Sequence, residues 1–199
     1  MRRVPVEHDR IFSDEERAEQ YAKGHQTMAE MFGREYTKKL LARGFQRGRI
    51  IDVGCGFGAV NLILAKQFVD SEIVGIDLSE PLLRLARKAA QEAGVGERVR
   101  FEKADAQELF YEDNTFDVVI STNMVHLVQE PIRMLNELER ILVRGGHLLV
   151  ADLRRSWLGA VEREVRSGLT MREVRDLIGQ SELREGKLSW GFLWWRFEA

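Results

Sequence analysis

Three glycines at alternate positions, Gly54, Gly56 and Gly58, most constrain how this chain can fold. They follow the apolar run 50–51, and residues 59–68 show helical apolar periodicity, so the pattern predicts a buried strand, a tight turn and a helix. Glycine is needed where the backbone turns with positive φ or lies against a ligand. A helix beginning at such a turn presents unpaired N–H groups. The sequence therefore predicts a nucleotide-type cofactor site on a doubly wound α/β sheet.

The residues around this turn leave the class of cofactor open. The spacing Gly54-x-Gly56-x-x-Ala59 also fits the dinucleotide fingerprint of nicotinamide-dependent oxidoreductases, and a turn without any ligand would look similar. Asp52 stands two residues before the first glycine, where a carboxylate repels a pyrophosphate and attracts a cation. S-adenosylmethionine has a zwitterionic methionine end and a positive sulfonium. Asp52 therefore favours that cofactor over a dinucleotide.

Four further segments, within roughly residues 45–152, occur in an order and at a spacing that are typical of one protein family. They are VGIDLS at 74–79, KADA at 103–106, FDVVIS at 116–121 and LVRGGHLLV at 142–150. With the glycine turn, they resemble the class I S-adenosylmethionine-dependent methyltransferases. The resemblance is to the small-molecule branch, methyltransferase type 11, which includes enzymes of ubiquinone and menaquinone biosynthesis. It implies a Rossmann-like, doubly wound, seven-stranded and mainly parallel sheet with an antiparallel last strand, helices on both faces and an N-terminal helical cap.

We expect a single domain with three parts. Residues 1–45 form the N-terminal cap, residues 46–152 the cofactor-binding core, and residues 153–199 a C-terminal helix and strand pair. The resemblance implies S-adenosyl-L-methionine as cofactor, S-adenosyl-L-homocysteine as product and a small molecule as methyl acceptor. A non-catalytic cofactor-binding partner subunit remains an alternative.

Asp77 lies 23 residues after Gly54, close to the about 20 expected of an acid that binds ribose hydroxyls. A turn role before the helix that Ser79 caps is the alternative for Asp77. By resemblance, Asp105 accepts from the adenine amino group and Ala106 offers its backbone N–H; a turn role stays open for Asp105. The residues expected to contact the cofactor are Asp52, Gly54, Cys55, Gly56, Gly58, Asp77, Leu78, Asp105, Ala106 and Ser121.

Methyl transfer from a sulfonium needs alignment and exclusion of water more than acid–base chemistry. A general base is required only when the acceptor is protonated at neutral pH, and His126 is the candidate, with a packing role as its alternative. His147 is expected to be structural. Tyr21 and His25 could close over the methionine end as a lid.

Several features limit the acceptor and the partners. Residues 121–124 read STNM, without the Asn/Asp-Pro-Pro-aromatic run of enzymes that methylate bases or amides, and Arg144 replaces the usual proline before the Gly-Gly turn. The net charge of −2 argues against a nucleic-acid partner, and we interpret Arg2, Arg3 and the arginines between 154 and 175 as solvated surface. The short connection 153–169 suggests an open pocket or one completed by a partner subunit, so a homodimer stays open.

Cys55 is the only cysteine, which excludes an intrachain disulfide and fits a reducing compartment. We interpret it as a small residue of the ligand loop and not a nucleophile, and we expect no metal site. No run of about 18 apolar residues or signal core occurs. We therefore expect no membrane span and a cytoplasmic location.

The remaining pattern predicts the order of the elements. Helices are expected from about Ser13 to Gly24, over 25–42, 59–69, 80–93 and 131–142, and from Thr170 to about Gln180, where Thr170 and Glu173 have capping-box spacing. Strands are expected over 49–53, 72–76, 98–103, 116–121, 147–151, 182–188 and 192–198, the last two antiparallel and parted by 189–191. Aromatic residues of this closing pair are expected in the core: Trp190, Phe192, Trp194, Trp195 and Phe197.

Overall fold

The computed structural model describes residues 13–156 and 163–199. Its strands are β1 (Arg49–Val53), β2 (Glu72–Asp77), β3 (Val99–Lys103), β4 (Phe116–Thr122), β5 (Leu142–Leu153), β6 (Lys187–Trp190) and β7 (Trp194–Glu198). Its helices are α1 (Glu15–Ala42), α2 (Ala59–Gln67), α3 (Glu80–Glu92), α4 (Pro131–Ile141), α5 (Arg163–Ser167) and α6 (Met171–Gln180). Arg2, Arg3 and Trp157 lie outside the described residues.

All seven strands form one sheet in the order β3-β2-β1-β4-β5-β7-β6. β1 to β5 run parallel, whereas β7 pairs antiparallel with both β5 and β6. The chain order reverses between β1 and β4, which places a topological switch point at the end of β1. The seven-stranded, mainly parallel sheet with its antiparallel closing strand confirms the expected fold class.

The sheet is covered on both faces, which explains why its central strands are continuously apolar. Ile50 belongs to a core cluster that includes residues of α1, α2 and α3, and the adjacent Ile51 belongs to a second cluster that includes residues of α4 and α6. Successive side chains of a strand point to opposite faces, so one apolar dipeptide contributes to both layers. In the part of the chain that the structure describes, no helix is long and apolar enough to cross a membrane.

α1 is one helix of 28 residues, so the prediction of two helices meeting at Gly24 and His25 is wrong. Glycine in a helix interior costs only about 1 kcal/mol relative to alanine. A buried stripe continues across that position and outweighs the cost: it comprises Ala18, Phe32, Gly33, Tyr36 and Leu40. The helix is capped by Asp14, whose side chain accepts from the Arg17 N–H, and not by Ser13.

The boundaries of β5 and β6 also differ from the expectation. β5 begins at Leu142, because residues around Gly145 form an irregularity within the strand: Phe116 pairs with Leu142 while Val118 pairs with His147. β6 begins at Lys187, not at 182, and extends to Trp190. The expected turn 189–191 therefore lies largely inside the strand. The capping box between Thr170 and Glu173 is confirmed at the start of α6.

The closing aromatic residues divide into two groups. Trp195 and Phe197 are buried in β7, with 1% and 2% of their surface exposed, and Trp194 packs against the core on the α1 side. At the tip of the hairpin, Trp190 and Phe192 are 49% and 58% exposed. The prediction of core packing is right for β7 and wrong for the tip, because only β7 lies between two paired strands.

This division gives a test of the packing. Trp195→Ala should lower the free energy of unfolding by about 3–5 kcal/mol, since it leaves a large cavity in the core. Trp190→Ala should cost less than about 1 kcal/mol, because it removes only an exposed ring with Arg175 over it. Urea unfolding followed by circular dichroism measures both. Equal losses would contradict the assignment of the two rings to core and surface.

Candidate functional site

Polar side chains gather where the parallel strands end. Asp52 lies near the end of β1, Asp77 ends β2, Asp105 follows β3, Ser121 lies near the end of β4, and Asp152 near the end of β5. Because the strands are parallel, these residues share one edge of the sheet, around the switch point between β1 and β4. Ligands of open α/β sheets bind at such a crevice.

The glycine turn has the backbone that the sequence predicts. Gly54, Gly56 and Gly58 adopt φ values of 83°, 54° and 77°. The N–H groups of Gly54 and Cys55 both donate to the carbonyl of Ile76, at 2.8 and 2.9 Å, and so fix the turn to the end of β2. Side chains rarely adopt these φ values, so the three positions require glycine.

Two of the glycines also permit close packing. A Cβ on Gly58 would lie 2.8 Å from both the Cβ of Ala86 and the Cζ of Phe101, and one on Gly54 would lie 2.0 Å from the Cγ of Met124. A Cβ on Gly56 would meet nothing within 4 Å. The turn is therefore packed at both ends and open in its middle.

α2 begins directly at this turn. Its N-cap is Gly58, which provides no side-chain oxygen to the first N–H groups of the helix. Within the described residues, no side chain caps these N–H groups at Gly58, so they are possible donors to a ligand.

Asp77 holds both the turn and the next helix. Its Oδ2 accepts from the Gly56 N–H at 2.9 Å, and its Oδ1 accepts from the Ser79 N–H at 2.8 Å. Burial raises the pKa of Asp77, and the backbone N–H groups of Ser79, Gly56 and Leu78 limit the rise. Ser79 caps α3, as expected. The turn role and a ligand role are compatible, because each carboxylate oxygen has a second lone pair.

Asp52 is a buried carboxylate that the protein itself leaves without compensation. It is 2% exposed, and none of the described residues donates a hydrogen bond to it. Burial and, as the smaller contribution, the charge of Asp77 raise the pKa of Asp52 to about 7. A buried acid without a donor is costly unless a cation or donor from elsewhere satisfies it.

Cys55 lies within the turn and is 9% exposed. Burial, followed by the charges of Asp77 and Asp52, raises the pKa of its thiol well above the ordinary value. A thiol held in its neutral form is a poor nucleophile. The structure thus places Cys55 as a small packing residue beside the two carboxylates.

The other expected cofactor contacts occupy the rim of the crevice. Asp105 is partly buried and accepts from the backbone N–H and the side-chain amide of Gln107, at 2.9 and 3.0 Å, so it forms a turn. Ala106 is 4% exposed, whereas Leu78 is 42% exposed beside the end of β2. Ser121 is buried, and its hydroxyl donates to the Val53 carbonyl at 2.9 Å, joining β4 to β1.

His126 pairs with a carboxylate that sequence reasoning did not select. The His126 N–H donates to Oδ2 of Asp152 at 3.0 Å, and its Nδ1 hydrogen-bonds Oδ1 of the same side chain. An ionised Asp152 carboxylate only accepts, so Nδ1 is the donor of this pair. Both residues are buried, at 6% and 0% exposed. The only sequence signal for Asp152 was its place at the end of a parallel strand.

α1 approaches the glycine turn near its start. The Tyr21 ring stacks on His25 at 4.0 Å between centroids and meets Phe57 of the glycine turn edge-on at 6.5 Å. Further along, the Tyr36 hydroxyl hydrogen-bonds the Thr122 hydroxyl at 2.8 Å. Of the two predicted lid residues, Tyr21 thus contacts the turn through Phe57, and His25 lies beside Tyr21.

His147 lies near the opposite edge of the sheet. It pairs with Val118 in the β4–β5 ladder, and its ring meets Phe45 edge-on at 6.2 Å. Burial lowers the pKa of this imidazole. The placement agrees with a structural role.

Comparisons with known proteins agree on one family. Residues 51–150, half of the chain's 199 residues, match the family model described as "Methyltransferase domain". The chain is 35% identical over 111 residues to the phosphatidylethanolamine N-methyltransferase of Cereibacter sphaeroides, covering 56% of this chain and 52% of that protein. It is 36% identical over 108 residues to phosphoethanolamine N-methyltransferase 3 of Arabidopsis thaliana, covering 54% of this chain and 21% of that protein.

Another relative is the 27-O-demethylrifamycin SV methyltransferase of Amycolatopsis mediterranei, 37% identical over 106 residues, with 52% of this chain and 38% of that protein covered. The matches thus span between 21% and 52% of these three relatives' own lengths.

Solved structures share the fold over more of the chain. A crystal structure of a proposed S-adenosyl-L-methionine-dependent methyltransferase from Methanococcus maripaludis superposes with a TM-score of 0.79 at 20% identity, covering 98% of this chain and 96% of that one. A methyltransferase from Aquifex aeolicus gives a TM-score of 0.68 at 22% identity, covering 81% and 87%. At these identities the likeness establishes the fold alone.

Proposed function

This chain belongs to the methyltransferase domain family, and from that premise we propose that it transfers a methyl group from S-adenosyl-L-methionine to a small molecule. The observation that carries the proposal is the glycine turn held between two buried carboxylates, Asp52 and Asp77. A turn of this kind without the carboxylates would suit a diphosphate equally well. The acids make it suited to a ligand that carries a positive charge.

The residues of the crevice fit this cofactor. Asp52 is buried without a donor, and the methionine ammonium supplies both the charge and the N–H groups that it lacks. The open middle of the turn at Gly56 and the uncapped N–H groups at the start of α2 suit the carboxylate at the same end of the molecule. The remaining lone pairs of Asp77 suit the ribose hydroxyls.

For the adenine end, we keep the assignments made by resemblance. Leu78, exposed beside the end of β2, offers an apolar surface to a ring, and Ala106 offers a backbone N–H. Asp105 would accept from the adenine amino group through a lone pair that Gln107 leaves available. Cys55 and Ser121 would act by packing, since the hydroxyl of Ser121 is bonded to β1.

When bound, the cofactor supplies a methyl group on a sulfonium that leaves as a neutral thioether. The chain's own contribution is then to align the acceptor and to exclude water. α1 could perform the second task, because the Tyr21 ring meets Phe57 of the glycine turn and stacks on His25. We propose that these residues close the crevice over the methionine end.

His126 is the proposed general base. Its pairing with Asp152 fixes the imidazole orientation, and a base role would use the Nε2 lone pair of the neutral imidazole. Asp152 would act as a positioning residue, because it does not itself reach the acceptor. The base is needed only for an acceptor that is protonated at neutral pH.

The relatives are named for acting on phosphoethanolamine, phosphatidylethanolamine and 27-O-demethylrifamycin SV. These names span different acceptors, so we propose a small-molecule acceptor without fixing the methylated atom. A cytoplasmic location and a homodimer are retained as proposals. The first rests on the single cysteine, and the second on the short connection between β5 and α6.

Binding of S-adenosylhomocysteine tests the proposal directly. At about 100 times its dissociation constant it should stabilise the fold by about 2.7 kcal/mol, measured by thermal shift, whereas NAD should have no effect. Asp77→Ala should abolish most of this shift. Stabilisation by NAD alone would indicate an oxidoreductase, and S-adenosylhomocysteine binding with no methyl transfer to any extract metabolite would indicate a non-catalytic subunit.

The affinity should also depend on pH through Asp52. A cationic ligand needs the ionised carboxylate, so binding must release the proton that Asp52 holds below its pKa of about 7. Affinity should therefore be constant above this pH and fall as pH decreases, by up to about tenfold per pH unit. Titration calorimetry with S-adenosylhomocysteine measures the dependence.

Three groups near Asp52 can influence this titration. The Asp77 carboxylate, the Cys55 thiol and the Tyr36 phenol interact with it electrostatically. Asp52→Asn should remove the pH dependence and weaken binding at pH 8, whereas Asp70→Asn, at an exposed position, should change neither. A wild-type affinity that is flat between pH 5.5 and pH 8.5 would contradict the role of Asp52.

The base assignment predicts a kinetic effect without a binding effect. Once an acceptor is found by methyl incorporation, His126→Gln should lower kcat by about 10²–10⁴-fold while leaving S-adenosylhomocysteine affinity unchanged. Asp152→Asn should shift the pH profile of kcat, because it alters the imidazole that it holds. Full activity of the His126 variant would assign His126 to packing.

A further inference from the structure

Among the residues that the structure describes, three consecutive ones after β5 carry buried polar atoms without a hydrogen-bond partner: Nε of Arg154, Nη1 of Arg155 and Oγ of Ser156. An unsatisfied buried donor is unfavourable, so folded proteins rarely leave one without a purpose. Three in sequence, two of them on cationic side chains, are harder to attribute to packing. They indicate a ligand whose acceptor atoms satisfy them.

The other contacts of these side chains fix their positions. Arg155 is 9% exposed on its side chain, and its Nη2 contacts both carboxylate oxygens of Glu173 at 2.7 Å. Arg154 donates through Nη2 to the Phe192 carbonyl at 3.3 Å. The two unpaired arginine nitrogens therefore belong to guanidinium groups already held in place, so ordering them costs a ligand little entropy.

The backbone of the segment is fixed as well. The Arg154 N–H donates to the Leu193 carbonyl at 2.7 Å, and the Arg155 N–H donates to the Leu169 carbonyl at 2.9 Å. The segment is thus tied on one side to the β6–β7 turn and on the other to the residue before the α6 cap. Such pre-organisation is typical of a binding site.

The charge balance of the cluster is positive. Glu173 is shared between Arg155 and the cap of α6, where it also accepts from the Thr170 hydroxyl. Among the described residues, no carboxylate forms an ion pair with Arg154. A neutral carbonyl accepts from two donors at most and leaves the positive charge unbalanced. An oxyanion satisfies several donors and the charge together, and the planar guanidinium group is suited to bind it.

The cluster lies beside the proposed base but apart from the cofactor. Arg154 is two residues beyond Asp152, which holds His126, so their Cα atoms are at most about 7 Å apart along an extended strand. β5 is two strands from β1 in the sheet, about 10 Å from the glycine turn by strand spacing. The donors are therefore placed for the acceptor and not for the methionine carboxylate.

We propose that Arg154, Arg155 and Ser156 bind an oxyanion, a phosphoryl or carboxylate group, carried by the methyl acceptor. The identification of the ligand as the methyl acceptor rests on the proposed function. The oxyanion site itself does not depend on that function. Arg154 and Ser156 donate to the oxyanion directly. Arg155 also donates to it, from a guanidinium group that Glu173 orients. The site selects acceptors that present an anion several ångströms from the atom that is methylated.

The test uses the full chain and two simple probes. Sodium phosphate and sodium acetate are titrated in a thermal-shift assay against sodium chloride at equal ionic strength, with and without saturating S-adenosylhomocysteine. Arg154→Gln should weaken the apparent affinity at least tenfold, and Ser156→Ala should weaken it less. Arg155→Lys keeps a charge for Glu173 but removes Nη1, and should also weaken binding. Arg175→Gln, an exposed arginine of α6, is the matched control and should have no effect.

A stabilisation by phosphate alone assigns the site to phosphoryl groups, and stabilisation by acetate as well assigns it to carboxylates too. The proposal is overturned if neither anion stabilises the wild type beyond chloride, or if Arg154→Gln and Arg175→Gln respond alike. S-adenosylhomocysteine affinity should be unchanged in all four variants. If the wild type binds phosphate through Arg154 but not S-adenosylhomocysteine, the oxyanion site stands and the proposed function fails; the reverse result leaves the function and removes the site.

Discussion

The hydrogen bonds that tie the glycine turn to the end of β2 determine the rest of the site. Ile76 accepts from two N–H groups of the turn, and Asp77 accepts from a third. These bonds use donors that a nucleotide-binding turn would otherwise point at a phosphate. What remains open is the middle of the turn at Gly56 and the start of α2. The same contacts bring the Asp77 carboxylate beside Asp52. The hydrogen bonds to the end of β2 therefore determine both the shape of the turn and the negative charge beside it.

Two buried carboxylates at one turn are unfavourable for folding alone. Burial raises the pKa of both Asp52 and Asp77, and the charge of Asp77 adds to the rise at Asp52. Asp77 is compensated by backbone donors, whereas none of the described residues donates to Asp52. The acid at the switch point thus lacks compensation from this part of the chain, and a bound cation would relieve the repulsion. The free energy of folding that the buried Asp52 carboxylate costs would be regained when a cation binds beside it.

The parts of the fold that depend on local chemistry could be predicted from the sequence. The glycine turn, the Ser79 and Thr170 caps and the alternation of strand and helix each follow from residues within a few positions of one another. The errors concern features that distant contacts decide. α1 continues through Gly24 because its far half packs against the sheet, and the hairpin tip at Trp190 is exposed because no further strand covers it.

The residues of the candidate site also divide into those that the sequence could predict and those that it could not. The cofactor residues lie in motifs whose spacing the sequence displays, so Asp52 and Asp77 could be selected without coordinates. Asp152 could not, because its meaning depends on His126, which lies 26 residues away in sequence and reaches it only through the pairing of β4 with β5. Arg154 and Arg155 looked like solvated charges for the same reason. Only the β6–β7 turn and α6, folding back onto the end of β5, bury their donors, and the proposed anion site depends on that burial.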